Sequence, residues 1–488
     1  MSGRFRNFAP LAAIVFFALL QCIPAALNGF PFVFFDTHGY YDAGEAVTGV
    51  VVKSERADPL SNDAPSNISV TTTEAGDPPD ENAGNDGGKK LIQMSRSPYY
   101  GVILFNLWQV SPFLIVLFQS LIIALVVWLV CREVCPKRPV SAFLAAGVVC
   151  AALTPLPYFT SYSMPDVFSG LIPLIIFLLC YRTGTLSRSA FVFLWGLLVA
   201  VILFHSSHIL VSLGLILFVT LLAVSRKYRP RISGWIGVTS AFATGILGVF
   251  LFAFVAYTVF GSWPVNPPFL TARGIEDGPV ARMIEQGCDP DEFAICAARP
   301  LPNTDSTLFL WQGDSFYQQA DPEMKTRLAR EDAAVFLTAA GKWPGLQFTA
   351  SARNFLTQIR KFGLFEFKTA KRVFREAAPS FMTQSELAAY GDSRAVSGRY
   401  PFEALSIVVY LSALAGLAMV LYLVSRADTD RSLRILVVLV LVTMVGNALV
   451  TGVLSDPHHR YQARIIWLLP LLATLLVFRT GATGRKPG

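Results

Sequence analysis

Ten stretches of the chain are almost continuously apolar, at about 10–28, 111–131, 140–157, 166–181, 189–205, 208–225, 234–260, 402–424, 433–453 and 464–479. Most reach the roughly 17–25 residues that an α-helix needs to cross ~30 Å of hydrocarbon. The runs at 166–181, 189–205 and 208–225 are the shortest, and the last two meet at His205-Ser206-Ser207-His208, where the pattern is weakest. The first run follows Arg4 and Arg6 and ends in Ala-Ala-Leu-Asn, a poor cleavage site, so it reads as a signal anchor and first span.

Two long polar segments interrupt the runs. The first covers about 30–98, and its middle, about 54–90, is rich in Ser, Asn, Asp, Pro, Thr and Gly with almost no large apolar residue. Such a composition cannot bury a core, so a mobile loop is expected. The second covers about 261–400 and has amphipathic stretches at 322–340 and 345–362, which predict a small, mostly helical subdomain. Within it, Phe348, Phe355, Ile359 and Phe362 suit a helix lying on a membrane surface. The expected organisation is a membrane domain over 1–260 that includes the loop 30–98, an outer subdomain over 261–400, and a closing membrane domain over 401–488. The fold class is an all-α polytopic membrane protein of about ten transmembrane helices.

Composition agrees with lipid. Of 488 residues 53% are apolar and 15% charged, against about 25% charged in soluble domains. The net charge of +7 does not point to nucleic acid, because the basic residues sit in short clusters between apolar runs. These clusters are Arg132/Lys137/Arg138, Arg182/Arg188, Arg226/Lys227/Arg229/Arg231, Arg426/Arg431/Arg434 and Arg479/Arg485/Lys486. With the N-terminus inside, all fall on one side, which the positive-inside rule makes cytoplasmic together with both chain ends. The two polar segments then lie outside. Cys288 and Cys296 fall in the second of them, and an oxidising compartment predicts a disulfide between them.

The candidates for chemistry also map to the outer side. Asp36-Thr37-His38-Gly39-Tyr40-Tyr41 follows the first span directly. A carboxylate just above the lipid, partly desolvated, would have a raised pKa and serve as a general base; an ordinary polar junction is the alternative. Arg96-Ser97-Pro98-Tyr99-Tyr100-Gly101 returns the chain to the membrane, either as part of a site or as an aromatic belt. Asp166, in the proline-rich outer turn 155–166, is a site candidate or a helix cap. His205 and His208, three apart on one helix face, are polar glue between spans or part of a metal site completed by His38, His458 or outer carboxylates. In His458-His459-Arg460-Tyr461-Gln462-Ala463-Arg464, two arginines enter the last span, and their natural partner is a lipid phosphate or a carboxylate such as Asp36 or Asp166.

With these residues placed, the chain resembles the C-type (GT-C) membrane glycosyltransferases, which include protein O-mannosyltransferases and lipid A aminoarabinose transferases. Asp36, Tyr40 and the Ala43–Gly44 pair fit the opening of that family's first outer loop, and Ser97-Pro98-Tyr99-Tyr100 is similar to its return. The sequence departs at Thr37, where the family has a second acidic residue. The resemblance implies a multi-pass enzyme of the bacterial inner membrane, moving a sugar from a polyprenyl-phosphate donor to a glycan, lipid or protein acceptor. Asp36 would be the base, with His38 and Asp166 beside it. Tyr40, Tyr41, Tyr99, Tyr100, His205 and His208 would line the substrate site, and His459, Arg460, Tyr461 and Arg464 would hold the lipid phosphate. No cofactor is identified, and a divalent metal ion stays open. The alternatives are a transporter or flippase of a lipid-linked glycan, or a non-enzymatic metal-binding or assembly protein built on the histidines.

Overall fold

The computed structural model describes residues 2–49, 96–261, 263–301, 303–426 and 430–480, so the stretch expected to be a mobile loop lies outside the described residues. Among the described residues the chain is all-α, with about 20 helices, and the only β-type pairing is one bridge between Phe32 and Tyr162. The helices used below are α1 (Ser2–Asn28), α2 (Phe35–Thr48), α3 (Pro98–Val110), α4 (Phe113–Val134), α5 (Pro139–Leu153), α6 (Leu171–Arg182), α7 (Arg188–Phe204), α8 (Ser206–Leu222), α9 (Ile232–Phe260), α10 (Phe269–Asp277), α11 (Pro322–Lys342), α12 (Pro344–Arg360), α13 (Phe402–Arg426), α14 (Arg431–Val453), α15 (His459–Ile466) and α16 (Leu468–Thr480).

Among the described residues seven helical stretches are long and apolar enough to cross a membrane: Ala9–Asn28, Phe113–Val134, Pro165–Arg182, Ile232–Thr258, Phe402–Arg426, Arg431–Val453 and His459–Thr480. The other three apolar runs form the shorter helices α5, α7 and α8. The third run is therefore among the short ones and the fourth is not. Thr154 ends α5 by bonding back to the Cys150 carbonyl, and Pro155 and Pro157 prevent its continuation. The fourth run gains a 3₁₀ turn, Pro165–Gly170, ahead of α6. His205 lies outside both α7 and α8 in extended backbone, and its ring caps α8 by accepting from the Ser207 N–H. The two histidines thus do not share a helix face, although their rings stand 5.3 Å apart.

The apolar helices pack as a bundle, with α1 on α4 and α5, α7 on α9, and α13 on α16. Several basic clusters converge at one end. Arg182 and Arg479 both reach Asp430, at 3.4 and 3.8 Å, and Arg431 donates to the Arg226 carbonyl. At the other end the second polar segment divides. Residues between Ala272 and Trp343 surround a core of their own, closed by the expected Cys288–Cys296 disulfide. Residues from Phe362 to Val396 join the core of the bundle instead.

The two arms of the first long polar segment, α2 and α3, lie against each other. Their backbones touch where both residues are glycine: a Cβ on Gly44 would sit 2.1 Å from the Gly101 carbonyl oxygen, and one on Gly101 would sit 2.4 Å from that of Tyr40. Neither backbone can yield cheaply, so these glycines set the crossing. Gly101→Val should lower stability by roughly 1–3 kcal/mol through overpacking, read as a lower thermal midpoint in detergent; an unchanged midpoint would show that the helices are not in register at Gly44.

Candidate functional site

Asp36 is the second residue of α2, and the turn that presents it is capped by Thr37, whose buried hydroxyl accepts from the Phe34 N–H. Thr37 thus holds the helix start. Both carboxylate oxygens of Asp36 are engaged. One accepts from Arg96, just before α3, and the other accepts from both Nη atoms of Arg460 at 3.1 Å. The Arg460 guanidinium also lies over the rings of Phe34 and Tyr461, at 4.5 and 5.0 Å. Burial alone would raise the Asp36 pKa, but the two guanidiniums outweigh it and hold the carboxyl well below the usual carboxylate range. This corrects the expectation of a raised pKa: desolvation without partners makes a base, and desolvation between two cations does not.

One turn further along α15, Arg464 is fully buried and donates to Asp166 at 3.2 Å, Ser207 at 3.0 Å and Asn447 at 2.9 Å. Met164, not Asp166, stands at the N-cap of the 3₁₀ turn, and Asp166 pairs with Arg464. Each of the two arginines is paired with a carboxylate, Arg460 with Asp36 and Arg464 with Asp166. Several polar atoms around these pairs are buried without a hydrogen-bond partner among the described residues, namely Asp166 Oδ2, Arg460 Nε, Arg464 Nε, Tyr162 Oη and Ser163 Oγ.

The remaining candidates divide into two groups. Tyr40 is buried within the influence of Arg96, Asp36, Asp166 and Arg460, and burial raises its pKa. Tyr461 lies beneath both arginines, 5.4 Å from the Arg464 guanidinium. His205 reaches Arg464 through Ser207, whose hydroxyl lies 2.9 Å from His205 Nδ1. The others make their contacts away from these pairs or with their own neighbours. Tyr41 accepts from Gln109 and packs among Phe105, Trp108 and Phe381; Tyr100 lies against Tyr40 and Phe204 and reaches Gln119; Tyr99 donates to the Gly248 carbonyl in α9. His208 bridges Ser169 and the Val201 carbonyl, which is the polar-glue role. His38 donates to the Phe35 carbonyl in its own turn, while Arg96 and Arg460 donate to Asp36.

No protein-family model, no curated protein and no solved structure matches the chain.

Two features of the site have no local signal in the sequence. The first is the pairing of Arg96, itself within the candidate segment 96–101, with Asp36, 60 residues away in the chain. The second is the clamp on the segment that delivers Arg460. Gln358 pairs with the backbone of His458 through both amide atoms, at 2.8 and 3.0 Å, and Lys361 donates to the Pro457 carbonyl. Glu366 accepts from the His459 N–H, and His459 Nδ1 accepts from the Gly363 N–H. The His458 imidazole lies 3.3 Å from both Glu366 and Asp456. Behind it, buried Arg273 grips Asp277 and reaches the Ser455 carbonyl. No three His, Cys, Asp or Glu among the described residues are grouped to hold a metal ion.

Burial alone would raise the Glu366 pKa, but the hydrogen bond and charge of His458 bring it down to about 2. The same contact outweighs burial at His458 and raises its pKa above 6.5. The Glu366 contribution to stability is complete above about 4.5 and is lost toward pH 2, while that of His458 is complete below 6.5 and is lost as pH rises through its raised value. The stability difference between wild type and Glu366→Gln should therefore peak between about pH 4.5 and 6.5, at roughly 2 kcal/mol, and shrink on both sides. Thermal midpoints across pH check this, and a pH-independent difference contradicts it.

Proposed function

We propose that the protein is a multi-pass membrane glycosyltransferase similar to the GT-C enzymes, moving a sugar from a polyprenyl-phosphate donor at the membrane face where Asp36 lies. The observation that carries the reading is the Asp36–Arg460 pair: a carboxylate at the start of α2 and a forked cation at the mouth of the last apolar helix, side by side at one end of an apolar bundle. The convergence of basic residues at the opposite end supports a cytoplasmic assignment for that end and an outward-facing site, as in a bacterial inner membrane.

In this mechanism the acceptor hydroxyl attacks the anomeric carbon of the donor and gives its proton to Asp36. The new oxygen–carbon bond forms as the bond from that carbon to the phosphate oxygen breaks, and the electron pair leaves with the polyprenyl phosphate. Asp36 paired with two guanidiniums is a weak base, so the pair has to open before the proton moves. The donor phosphate is an anion suited to the same fork of Arg460. Capture of Arg460 by the phosphate would free one oxygen of Asp36 and let its pKa rise. A phosphodiester carries one negative charge and the departing monoester close to two, so the attraction to Arg460 grows along the reaction, where it lowers the barrier. Arg464, with its Nη atoms committed to Asp166, Ser207 and Asn447, would act from behind by fixing α15.

Replacing the base should cost about 10²–10⁴-fold in rate. A strain carrying Asp36→Ala should show the glycan and glycolipid profile of the deletion strain while the variant accumulates normally in the membrane. A wild-type profile would remove Asp36 from the chemistry.

A further inference from the structure

Helix α12 is amphipathic in the reverse sense to a helix of a soluble subdomain, which buries its apolar stripe and exposes the polar one. Its inward face is polar. Asn354 and Gln347 both donate to Asp277 at 2.8 Å, and Gln358, fully buried, holds the backbone of His458. Its outward face is apolar: Phe348 is 76% exposed and Leu356 49% exposed, with Phe355 and Ile359 half-buried between them. Neither Phe348 nor Leu356 packs into the core of the bundle or that of the outer subdomain.

The surroundings of that face identify what covers it. At one side α12 lies on the membrane-length helix α14, close enough that a Cβ on Gly452 would meet the Gln358 side chain at 2.8 Å. At its C-terminus the Arg360 carbonyl accepts from Tyr410 of α13, a second membrane-length helix, and the Phe362 ring lies tilted against the same tyrosine at 4.2 Å. The exposed apolar surface of α13, with Ile407, Leu411 and Leu414, thus adjoins the end of α12. Arg353 and Arg360 are exposed along α12, where they suit anionic headgroups. We propose that the apolar face of α12 is seated in the outer interfacial layer of the bilayer, so that the helix which clamps the Arg460 segment is itself anchored in lipid. The inference rests on the reading of the chain as a multi-pass membrane protein and adds a surface that hydropathy does not count as a span.

The test uses the full chain reconstituted in vesicles of phosphatidylcholine and phosphatidylglycerol. Cysteine is placed in turn at Phe348→Cys, at Phe250→Cys on α9 as the lipid-facing control, and at Asp314→Cys as the aqueous control. Each variant is labelled with an environment-sensitive fluorophore, with the labelled parent as background for the native thiols. The probe at 348 should be quenched by a shallow lipid-borne nitroxide as the probe at 250 is, and several-fold less by iodide than the probe at 314. If the probe at 250 escapes the lipid quencher, the membrane reading itself fails and the proposal with it. If 250 is quenched by lipid while 348 follows 314, the α12 proposal alone is overturned. Protection of 348 from both quenchers, with cross-linking between copies through that cysteine, would assign the face to a second copy of the chain and also overturn it.

Discussion

A guanidinium taken into the mouth of an apolar bundle must bring a carboxylate with it, because neither charge is tolerable there alone. Here the demand arises twice, at Arg460 and Arg464, one turn apart on the short helix α15. Meeting it fixes much of the surrounding architecture. Arg464 draws the 3₁₀ turn carrying Asp166 onto α15, and the Trp467 indole packs against Gly170 of that turn. Arg460 draws the start of α2 over the bundle, and the contact of Gly44 with Gly101 then brings Arg96 to the other oxygen of Asp36. The loop ahead of α15 is held by Gln358, Lys361 and Glu366, so the arginines arrive with their direction already set.

The same pairing constrains the chemistry. A carboxylate tied by two guanidiniums is stable and unreactive, and its basicity depends on losing one of them. An anionic lipid head competing for Arg460 would convert a structural ion pair into a base and an anion site in one exchange. Under this reading the pair is a resting arrangement, and the substrate's own charge supplies the energy that opens it.

Much of this was legible in the chain. The apolar runs gave the helices, because a membrane-length run has few other solutions, and the two cysteines of the second polar segment gave the disulfide. The arginine partners were among the alternatives that residue chemistry allowed. What the sequence concealed was tertiary. His205 looked like a member of a helix face and is a cap, since its backbone is extended at the break. Tyr41, Tyr99 and Tyr100 carry no local sign of their partners, which are Gln109, the Gly248 carbonyl and Gln119 on other helices. The Asp36 pKa moved opposite to expectation because its sign depends on Arg96 and Arg460, which lie 60 and 424 residues away in the chain.

The measurement that bears most directly on the Arg460 exchange is equilibrium binding of a polyprenyl phosphate to the purified full chain, compared among wild type, Arg460→Ala and Asp36→Asn. The account predicts that Arg460→Ala weakens binding by at least about tenfold, the ~1.4 kcal/mol expected of a single charge-assisted contact. It predicts that Asp36→Asn, which frees the fork, binds as tightly as wild type or more tightly. Equal affinity for wild type and Arg460→Ala, with both variants folded, would contradict it.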